Sequence, residues 1–415
     1  MRILMSTWGW RSHFYCLVPL GWALQAAGHE VRVASHPSMV EPITGAGLAA
    51  VPLGADVRFA EVFADSIGKV GRLAGASGGT PAGSSTGSTA GSSAGSSADG
   101  LEPAITADGG VVRFANALLD ELVDFGRAYR PDLMIWEPFN LAAPVAAAAL
   151  GVPGVQQLWG PDSSVTLRLD PESVIGPLAR RHGLASTDVC LTGALSLDPV
   201  PAPMQVPRTE PSRPVRFVPY NGTAVLPNWL HRPAARPRVC VTAGTMMAGA
   251  GLVDQLDLGS VIRAVAELDV EVVAVLEPVQ QQRLGTLPSN VRLADAPLAL
   301  RLLLPSCAAL VQQGGAGTTM TALACGVPQL ILPQVSDQHF NGERLAATGA
   351  GATLTGDAAE PVAIRGMVAE LIGDGSWRAA AAAMRDRVRQ LPPPAALVPE
   401  LLALASDRQL SRPGR

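Results

Sequence analysis

The sequence predicts two α/β domains, each built around a parallel β-sheet. Short apolar segments alternate with helix-like segments in two separate regions of the chain, and strands joined by a helix lie parallel in their sheet. A stretch dense in proline separates the two regions and interrupts regular structure. The length of 415 residues also exceeds that of one ordinary domain.

The first region is predicted to form a domain over residues 1–205. The helix over 111–129 is its clearest element, because Leu118, Leu122 and Phe125 recur at helical spacing. The order of elements is that of repeated strand–helix–strand units. Strands are predicted at 2–6, 30–35, 49–53, 132–136 and 154–158, and helices at 17–27, 41–47, 111–129 and 141–150.

A segment of unusual composition interrupts the first domain. Residues 75–100 are almost entirely Gly, Ser, Ala and Thr. Such a segment buries too little apolar area to offset the entropy lost on ordering, so a flexible loop is predicted. The sequence leaves open whether this loop is native or an engineered linker.

The proline-rich stretch over residues 206–236 is predicted to link the first domain to a second one over 237–390. Residues 391–415 are predicted to form a helical tail, which follows a break at Pro392–Pro394 and crosses back to the first domain. Strands of the second domain are predicted at 239–243, 270–276, 291–293, 308–311 and 329–332, with helices between them.

Composition argues against several classes of function. A net charge of −4 argues against nucleic acid and acidic membrane surfaces as partners. No window reaches the roughly 18 consecutive apolar residues of a membrane span, and the N-terminal apolar run is too short for a signal peptide. The five cysteines are scattered without a Cys-X-X-Cys pair, so reduced thiols in a cytoplasmic protein are predicted.

The most informative motif is a glycine-rich turn that joins a strand to a helix. Gly314, Gly315 and Gly317 follow a strand that ends at Val311, and Thr318 begins the helix. Glycines let the backbone come close to a ligand, and a helix N-terminus presents unpaired N–H groups and the positive end of its dipole. The turn therefore suits a diphosphate, and a tight turn without a ligand is the alternative.

A second polar group follows the next strand. Asp337, Gln338 and Asn341 supply a carboxylate and two amides, which suit the hydroxyls of a sugar. Helix capping by Asp337 or Ser336 is the rival interpretation. The strand before them ends at Leu332 rather than at an acidic residue, which argues against an NAD-dependent dehydrogenase.

Together these features resemble the GT-B glycosyltransferases. The resemblance rests on the two α/β domains, the proline-rich linker, the GGAGTT…DQ…N stretch and an early histidine, and it covers the chain except residues 75–110. VPLGWALQAAGHEVRVAS and VRFVPYNGTAVLPNWL are similar to the macrolide and polyketide members, with the spinosyn rhamnosyltransferase type as the nearest. The resemblance implies two facing Rossmann-like domains with a cleft between them.

The resemblance also implies a catalytic pair. The family places its general base after the first strand, where this chain has His13, and orients it with a carboxylate at the end of the strand in PDLMIWE. That carboxylate is Glu137 here, where aspartate is more usual. A neutral imidazole can take the proton of an alcohol that attacks an anomeric carbon. The alternatives are a histidine in a loop at a strand end and a surface or interdomain carboxylate, both without catalytic roles.

The donor is expected in the second domain. The family commonly has two histidines before the glycines, where this chain has Gln312 and Gln313, so Gln313 can donate a hydrogen bond but carries no charge. The residues implied are Gly244, Thr245, Gln313, Gly315, Gly317 and Thr318 for the diphosphate, Asp337, Gln338 and Asn341 for the sugar, and Pro297 and Leu298 for the base.

The acceptor is expected in the first domain. Six aromatic residues fall at strand ends or in loops, and such positions at the carboxyl edge of a parallel sheet face the crevice. Core packing is the alternative for each of them. The loop over 75–100 occupies the family's variable acceptor region, which suits a lid. The six aromatic residues are Trp8, Trp10, Phe14, Trp136, Phe139 and Trp159.

The resemblance therefore implies an inverting glycosyltransferase. It would move a deoxysugar, with rhamnose as one candidate, from a dTDP-sugar to a hydroxyl of a polyketide or macrolide aglycone. No cofactor and no metal are expected, since no residue cluster has ligand spacing and Asp337 alone is not a DxD motif. A non-catalytic sugar-nucleotide-binding partner and a GT-B-fold epimerase are the competing interpretations. The sequence leaves open whether a homodimer or an auxiliary protein is needed.

Overall fold

A computed structural model describes the conformation of most of the chain. The predicted flexible loop over 75–100 lies outside the described residues, so its conformation and its role as a lid stay predictions. The structure describes residues 1–58, 109–162, 169–249, 256–294 and 297–410.

Seven parallel strands form the sheet of the first domain. The strands are β1 (Arg2–Ser6), β2 (Glu30–Ser35), β3 (Ala49–Pro52), β4 (Leu133–Trp136), β5 (Gly154–Gln157), β6 (Leu195–Asp198) and β7 (Ser212–Pro214). The helices are α1 (Arg11–Ala26), α2 (Val40–Gly45), α3 (Gly110–Tyr129), α4 (Ala142–Leu150), α5 (Pro171–Val174) and α6 (Gly176–Arg180). The strand order is β3-β2-β1-β4-β5-β6-β7, and each neighbouring pair is parallel.

Six parallel strands form the sheet of the second domain. The strands are β8 (Arg238–Val241), β9 (Glu271–Ala274), β10 (Val291–Leu293), β11 (Ala309–Gln312), β12 (Gln329–Ile331) and β13 (Gly351–Thr353). The helices are α7 (Met246–Gly249), α8 (Leu258–Ala266), α9 (Pro278–Gln281), α10 (Leu300–Leu303), α11 (Ala316–Cys325), α12 (Ser336–Ala346), α13 (Pro361–Gly373), α14 (Gly375–Gln390) and α15 (Pro394–Leu410). The order β10-β9-β8-β11-β12-β13 and the parallel pairing confirm the predicted pair of α/β domains.

The first sheet is buried on both faces, and its central strand β4 (Leu133–Trp136) is apolar throughout. Leu4 of β1 and Met134 of β4 pack against α3 and α4 on one face. Ile3 and Ile135, the next residues along the same strands, pack against α1 and α15 on the other. Alternate side chains of a strand point to opposite faces, so a run without polar residues predicts a sheet covered by helices on both sides.

Helix α1 begins at Arg11, earlier than the predicted start at Leu17. Trp10 precedes it with an extended backbone, at φ −136° and ψ 116°. The first three residues, Arg11, Ser12 and His13, line the space between the domains, and they lack the apolar spacing of the later turns. As a result, His13 stands in the first turn of a helix rather than in a loop.

Three short strands were not predicted. β6 alternates apolar and polar residues over only four positions, and β13 is made of small residues. β7 lies inside the predicted linker over 206–236 and adds to the first sheet beside β6. β7 is an edge strand, and such a strand tolerates Pro211 and Pro214. Proline has no backbone N–H, and on the free edge no neighbouring strand needs that hydrogen bond.

The C-terminal helix α15 returns to the first domain, as predicted. α14 ends at Gln390 and α15 begins at Pro394, so the break coincides with the predicted proline run. Leu397, Val398 and Leu401 join the core formed by α1 and the first sheet. The end of the chain therefore stabilises the domain in which the chain begins.

Within the part of the chain that the structure describes, no helix has both the length and the apolarity to span a bilayer. The helix α3 is 20 residues long, but Asp120, Glu121 and Asp124 lie on its exposed face.

Candidate active site

A cavity of about 700 Å³ lies between the carboxyl ends of the two sheets. Residues of both domains line it, because the loops that follow the strands of each sheet face each other. Open α/β sheets bind their ligands at this edge. The volume is in the range of pockets that hold a small molecule or a cofactor.

His13 lines this cavity from the first turn of α1. Its Nδ1 lies 3.0 Å from Oε2 of Glu137. An ionised carboxylate can only accept a hydrogen bond, so Nδ1 carries the proton and Nε2 keeps its lone pair. The imidazole is 16% exposed, which leaves that lone pair accessible to a hydroxyl in the cavity.

Glu137 is fully buried directly after β4. Its Oε2 also accepts the backbone N–H of Phe139 at 2.9 Å and the indole N–H of Trp159 at 3.3 Å. Its Oε1 accepts the backbone N–H of Trp8 at 3.4 Å. A buried carboxylate is tolerated when its oxygens are hydrogen-bonded in this way. The structure thus brings the two predicted catalytic residues together, and the longer glutamate still reaches His13.

Helix α11 presents its N-terminus to the cavity. Gly315 is its N-cap and provides no side chain that could cap the first turn. Gly317 and Thr318 lie in that turn, and all three residues line the cavity. The first N–H groups of a helix have no partner within it, so this end can bind the oxygens of a diphosphate.

Gly244 and Gln313 complete the same wall, beside Thr245. Gly244 has φ +68°, a conformation that favours glycine. A Cβ atom at Gly244 would lie 2.1 Å from Nε2 of Gln313, and one at Gly315 would lie 2.6 Å from it. The carboxamide therefore fills the space that the two glycines leave. Its Oε1 is buried without a hydrogen-bond partner among the described residues.

Two nearby amides hold the glycine turn instead of facing the cavity. Gln312 donates from Nε2 to Thr319 Oγ1 at 2.9 Å and to Gln329 Oε1 at 2.7 Å, and its Oε1 accepts the N–H of Gly314 at 3.1 Å. Asn341 is 2% exposed and donates to the Gly314 carbonyl at 2.8 Å. Asn341 therefore shapes the turn, which corrects the direct sugar contact predicted for it.

Asp337 and Gln338 lie in the first turn of α12 and line the cavity, where the predicted contact with sugar hydroxyls stays a prediction. The Oε1 of Gln338 accepts the N–H groups of Gln334 at 2.8 Å and Val335 at 3.3 Å, so Gln338 takes part in the capping that was expected of Asp337 or Ser336. Burial raises the pKa of Asp337 to about 6, and the charge of His13 acts in the opposite direction. Asp337 and His13 line the same cavity from opposite domains.

Pro297 and Leu298 line an apolar part of the second-domain wall. Val275, Leu276 and Ala294 extend this surface. The predicted packing of a base against Pro297 and Leu298 has room here. Residues 295–296, between Ala294 and Pro297, lie outside the described part of the chain.

Four of the six predicted acceptor aromatics surround His13. Trp10 and Trp159 line the cavity. Trp8 and Phe139 have ring centroids 5.1 Å and 5.4 Å from the imidazole. Trp8 is 3% exposed and does not line the cavity, so its contact is with His13 rather than with an acceptor.

Phe14 and Trp136 are core residues, which corrects the acceptor role predicted for them. Phe14 is 0% and Trp136 is 2% exposed. Phe14 belongs to the core between α1 and the sheet, although His13 beside it faces the cavity. The indole of Trp136 lies over Gly154, where a Cβ would be 2.1 Å from the ring, and its N–H donates to the Leu191 carbonyl at 2.9 Å. The side chain of a residue at the end of a strand can therefore point into the core or into the cavity.

Arg11 and Glu277 are cavity-lining residues that the sequence did not single out. They form an ion pair between α1 of the first domain and the loop after β9 of the second. Glu277 follows the carboxyl end of a strand, and this position could have identified it from the sequence as a residue that faces the cavity. Residues 220–223 line the cavity as well, and the ring of Tyr220 packs against Tyr15 at 5.1 Å.

Solved structures of glycosyltransferases share this whole architecture. A spinosyn forosaminyltransferase superposes with a TM-score of 0.78 at 33% identity, covering 98% of this chain and 99% of its own. A spinosyn rhamnosyltransferase complexed with thymidine diphosphate gives 0.75 at 30%, covering 97% and 100%. Two facing parallel-sheet domains of this kind, with the cleft between them, define a glycosyltransferase of the GT-B fold.

The family within that class follows from the sequence itself. Residues 22–244 match the Erythromycin biosynthesis protein CIII-like N-terminal domain, and residues 259–404 match the C-terminal domain of the same name. The chain is 37% identical to the 10-deoxymethynolide desosaminyltransferase of Streptomyces venezuelae over 99% of this chain and 98% of that protein. The chain belongs to the Erythromycin biosynthesis protein CIII-like family of natural-product glycosyltransferases.

Proposed function

We propose that this glycosyltransferase moves a deoxysugar from a dTDP-sugar to a hydroxyl of a polyketide or macrolide aglycone, with inversion at the anomeric carbon. One observation carries the proposal. His13, oriented by Glu137, and the N-terminus of α11 line the same cavity from opposite domains. A base on one wall and a diphosphate site on the other suit an in-line displacement, which inverts the configuration.

In the proposed step, His13 acts as the base and dTDP is the leaving group. Nε2 of His13 takes the proton of the acceptor hydroxyl while its oxygen forms a bond to the anomeric carbon. The bond from that carbon to the diphosphate oxygen breaks, and its electron pair leaves with dTDP. The N–H groups at the start of α11, the Thr318 hydroxyl and the Gln313 amide stabilise the charge that develops on the leaving oxygen. No metal ion is required in this scheme, so EDTA should leave the rate unchanged.

The choice of nucleotide and acceptor is supported by the relatives. Solved neighbours are described in complex with dTDP and with a spinosyn aglycone. The sugar is the finer part of the proposal. Rhamnose is one candidate from the sequence resemblance, and relatives are named as transferases of desosamine, mycaminose and mycarose.

The test has two stages. Calorimetry with dTDP, UDP and GDP should show the tightest binding for dTDP. Mass spectrometry should then detect a glycoside when polyketide aglycones are incubated with dTDP-rhamnose or with dTDP-activated amino and neutral deoxysugars. An isomerised sugar nucleotide formed without any acceptor would favour the epimerase instead. Tight dTDP binding with no product from the whole panel would favour a non-catalytic partner.

A further inference from the structure

We propose that Trp159 is a positioning residue, whose indole N–H fixes the Glu137 carboxylate that orients His13. Trp159 follows β5 and is 7% exposed. Its Nε1 lies 3.3 Å from Oε2 of Glu137, the same oxygen that lies 3.0 Å from Nδ1 of His13. Its ring centroid is 4.8 Å from that of the imidazole. One side chain therefore contacts both members of the pair.

The length of the carboxylate side chain explains why this contact matters. Glutamate has one more rotatable bond than aspartate, so its carboxylate can occupy more positions unless other groups restrict it. The N–H groups of Trp159 and Phe139 both donate to Oε2, and neither bond involves His13. The oxygen is thus held in place before His13 gains a proton, and no rearrangement is needed when it does.

The charges around the imidazole set the direction of the expected effect. Glu137 and Asp337 are the carboxylates beside His13, and Arg11 lies in the same turn of α1 but pairs with Glu277. Burial raises the pKa of the Cys16 thiol, so the thiol adds no charge. Without the Trp159 N–H, the Glu137 carboxylate would accept one hydrogen bond fewer. Its negative charge would be less stabilised, so its hydrogen bond to a protonated His13 would become stronger.

The test compares Trp159→Phe with Trp136→Phe. Both changes keep a ring and remove a buried indole N–H bond, but the Trp136 bond ends on the Leu191 carbonyl and not on Glu137. Titration of His13 by NMR of labelled histidine, assigned with His13→Ala, needs no turnover. Trp159→Phe should move the titration midpoint of His13 to higher pH by roughly half a unit, and Trp136→Phe should leave it unchanged.

The kinetic part of the test rests on the proposed function. Trp159→Phe should lower kcat by about tenfold and move the acidic limb of the pH–rate profile in the same direction as the titration. A raised KM for the acceptor with unchanged kcat and titration would make Trp159 an acceptor contact only, and would overturn the proposal. Equal effects of both variants would reduce Trp159 to a packing role. Absence of turnover in the unaltered protein would count against the function, while the NMR titration would still decide the role of Trp159.

Discussion

His13 is the side chain on which the proposed transfer depends most directly. Its Nδ1 donates a hydrogen bond to Glu137, so only Nε2 can accept the hydroxyl proton. His13→Ala should therefore lower the transfer rate by about 100-fold or more, the scale of general-base catalysis. His231→Ala is a matched control, because His231 is exposed and does not line the cavity. Near-normal turnover of the His13 variant would remove it as the base.

Asp337 couples the site to the stability of the fold. Burial raises its pKa to about 6 from an ordinary value of 3.8, so between these pH values the folded protein holds a proton that the unfolded chain has released. Stability is therefore lost as pH rises from about 4 to 6, and the loss is complete above pH 6. Ionised Asp337 costs stability but provides an acceptor for sugar hydroxyls.

Asp337→Asn should separate these two effects. At pH 8 the variant should unfold at a higher temperature than the unaltered protein, and the difference should vanish near pH 4. Use of the donor sugar should weaken, while dTDP alone should bind almost as before, since the diphosphate wall is intact. Thermal unfolding at both pH values and calorimetry with dTDP check this. Asp257→Asn is the control, because hydrogen bonds from Ser260 lower the pKa of Asp257 and reverse the sign. An equal gain at both pH values would show that ionisation is not the cause.

Residue types after strands were readable from the sequence, but the directions of their side chains were not. His13, Glu137 and Asp337 were predicted as site residues, and the structure brings them to one cavity or its wall. Phe14 and Asn341 carry the same positional signal, yet one is in the core and the other bonds the glycine turn. The direction of a side chain depends on where its helix starts and on how the elements pack together. Neither can be read from the residues next to it in the sequence.

At the scale of elements, α15 is the contributor to the first domain that is most distant from it in sequence. It is separated from the first sheet by the whole second domain, yet Leu401 is fully buried in the core with Leu17 and Val33. Leu401→Ala should lower the free energy of unfolding by about 2–5 kcal/mol, the range for a buried leucine. Val362 is 70% exposed on α13, so Val362→Ala should change stability by no more than about 0.5 kcal/mol.

Chemical denaturation followed by tryptophan emission measures both variants. Trp8, Trp136 and Trp159 are buried in the first domain and report on its unfolding. A loss confined to the second-domain transition would contradict the assignment of α15 to the first core.

Elements with a strong periodic signal were predicted close to their observed bounds. The buried strands β1, β2 and β4 and the amphipathic helix α3 are examples. β6, β7 and β13 were missed because they contain few large apolar residues: β7 is Ser-Arg-Pro, β13 is Gly-Ala-Thr, and β6 is Leu-Ser-Leu-Asp. These short edge or near-edge strands are held by pairing with a neighbour, and that partner is distant in sequence.

At the scale of the whole molecule, side-chain contacts join the two domains. Arg11 pairs with Glu277, and both residues line the cavity. Arg344 of α12 donates to the carbonyls of Met204 at 3.0 Å and Gln205 at 2.7 Å. These contacts join the domain of His13 to the domain of α11, so the distance between His13 and the N-terminus of α11 depends on how closely the domains approach.

At Gly160 the first domain lies directly against α11 of the second domain. This glycine lies one residue after Trp159, and a Cβ added to it would lie 2.6 Å from the Cβ of Ala316, the first residue of α11. Its backbone is not left-handed, so alanine is acceptable in the first domain alone. Gly160→Ala should therefore act only on the contact between domains. Overpacking of this kind costs roughly 1–3 kcal/mol, which should reduce kcat/KM by about tenfold.

The double variant Gly160→Ala with Ala316→Gly removes the facing methyl group and should restore most of the lost activity. The gain cannot come from local backbone effects, because glycine within a helix costs up to about 1 kcal/mol of stability. Small-angle X-ray scattering with dTDP bound should show a larger radius of gyration for Gly160→Ala than for the unaltered protein, and a return to the original value in the double variant. If Gly160→Ala keeps full activity, or if the double variant is no better than the single one, domain approach at Gly160 does not limit the reaction. The paired result would place closure of the cleft, and not the individual side chains, as the step that brings the base to the donor.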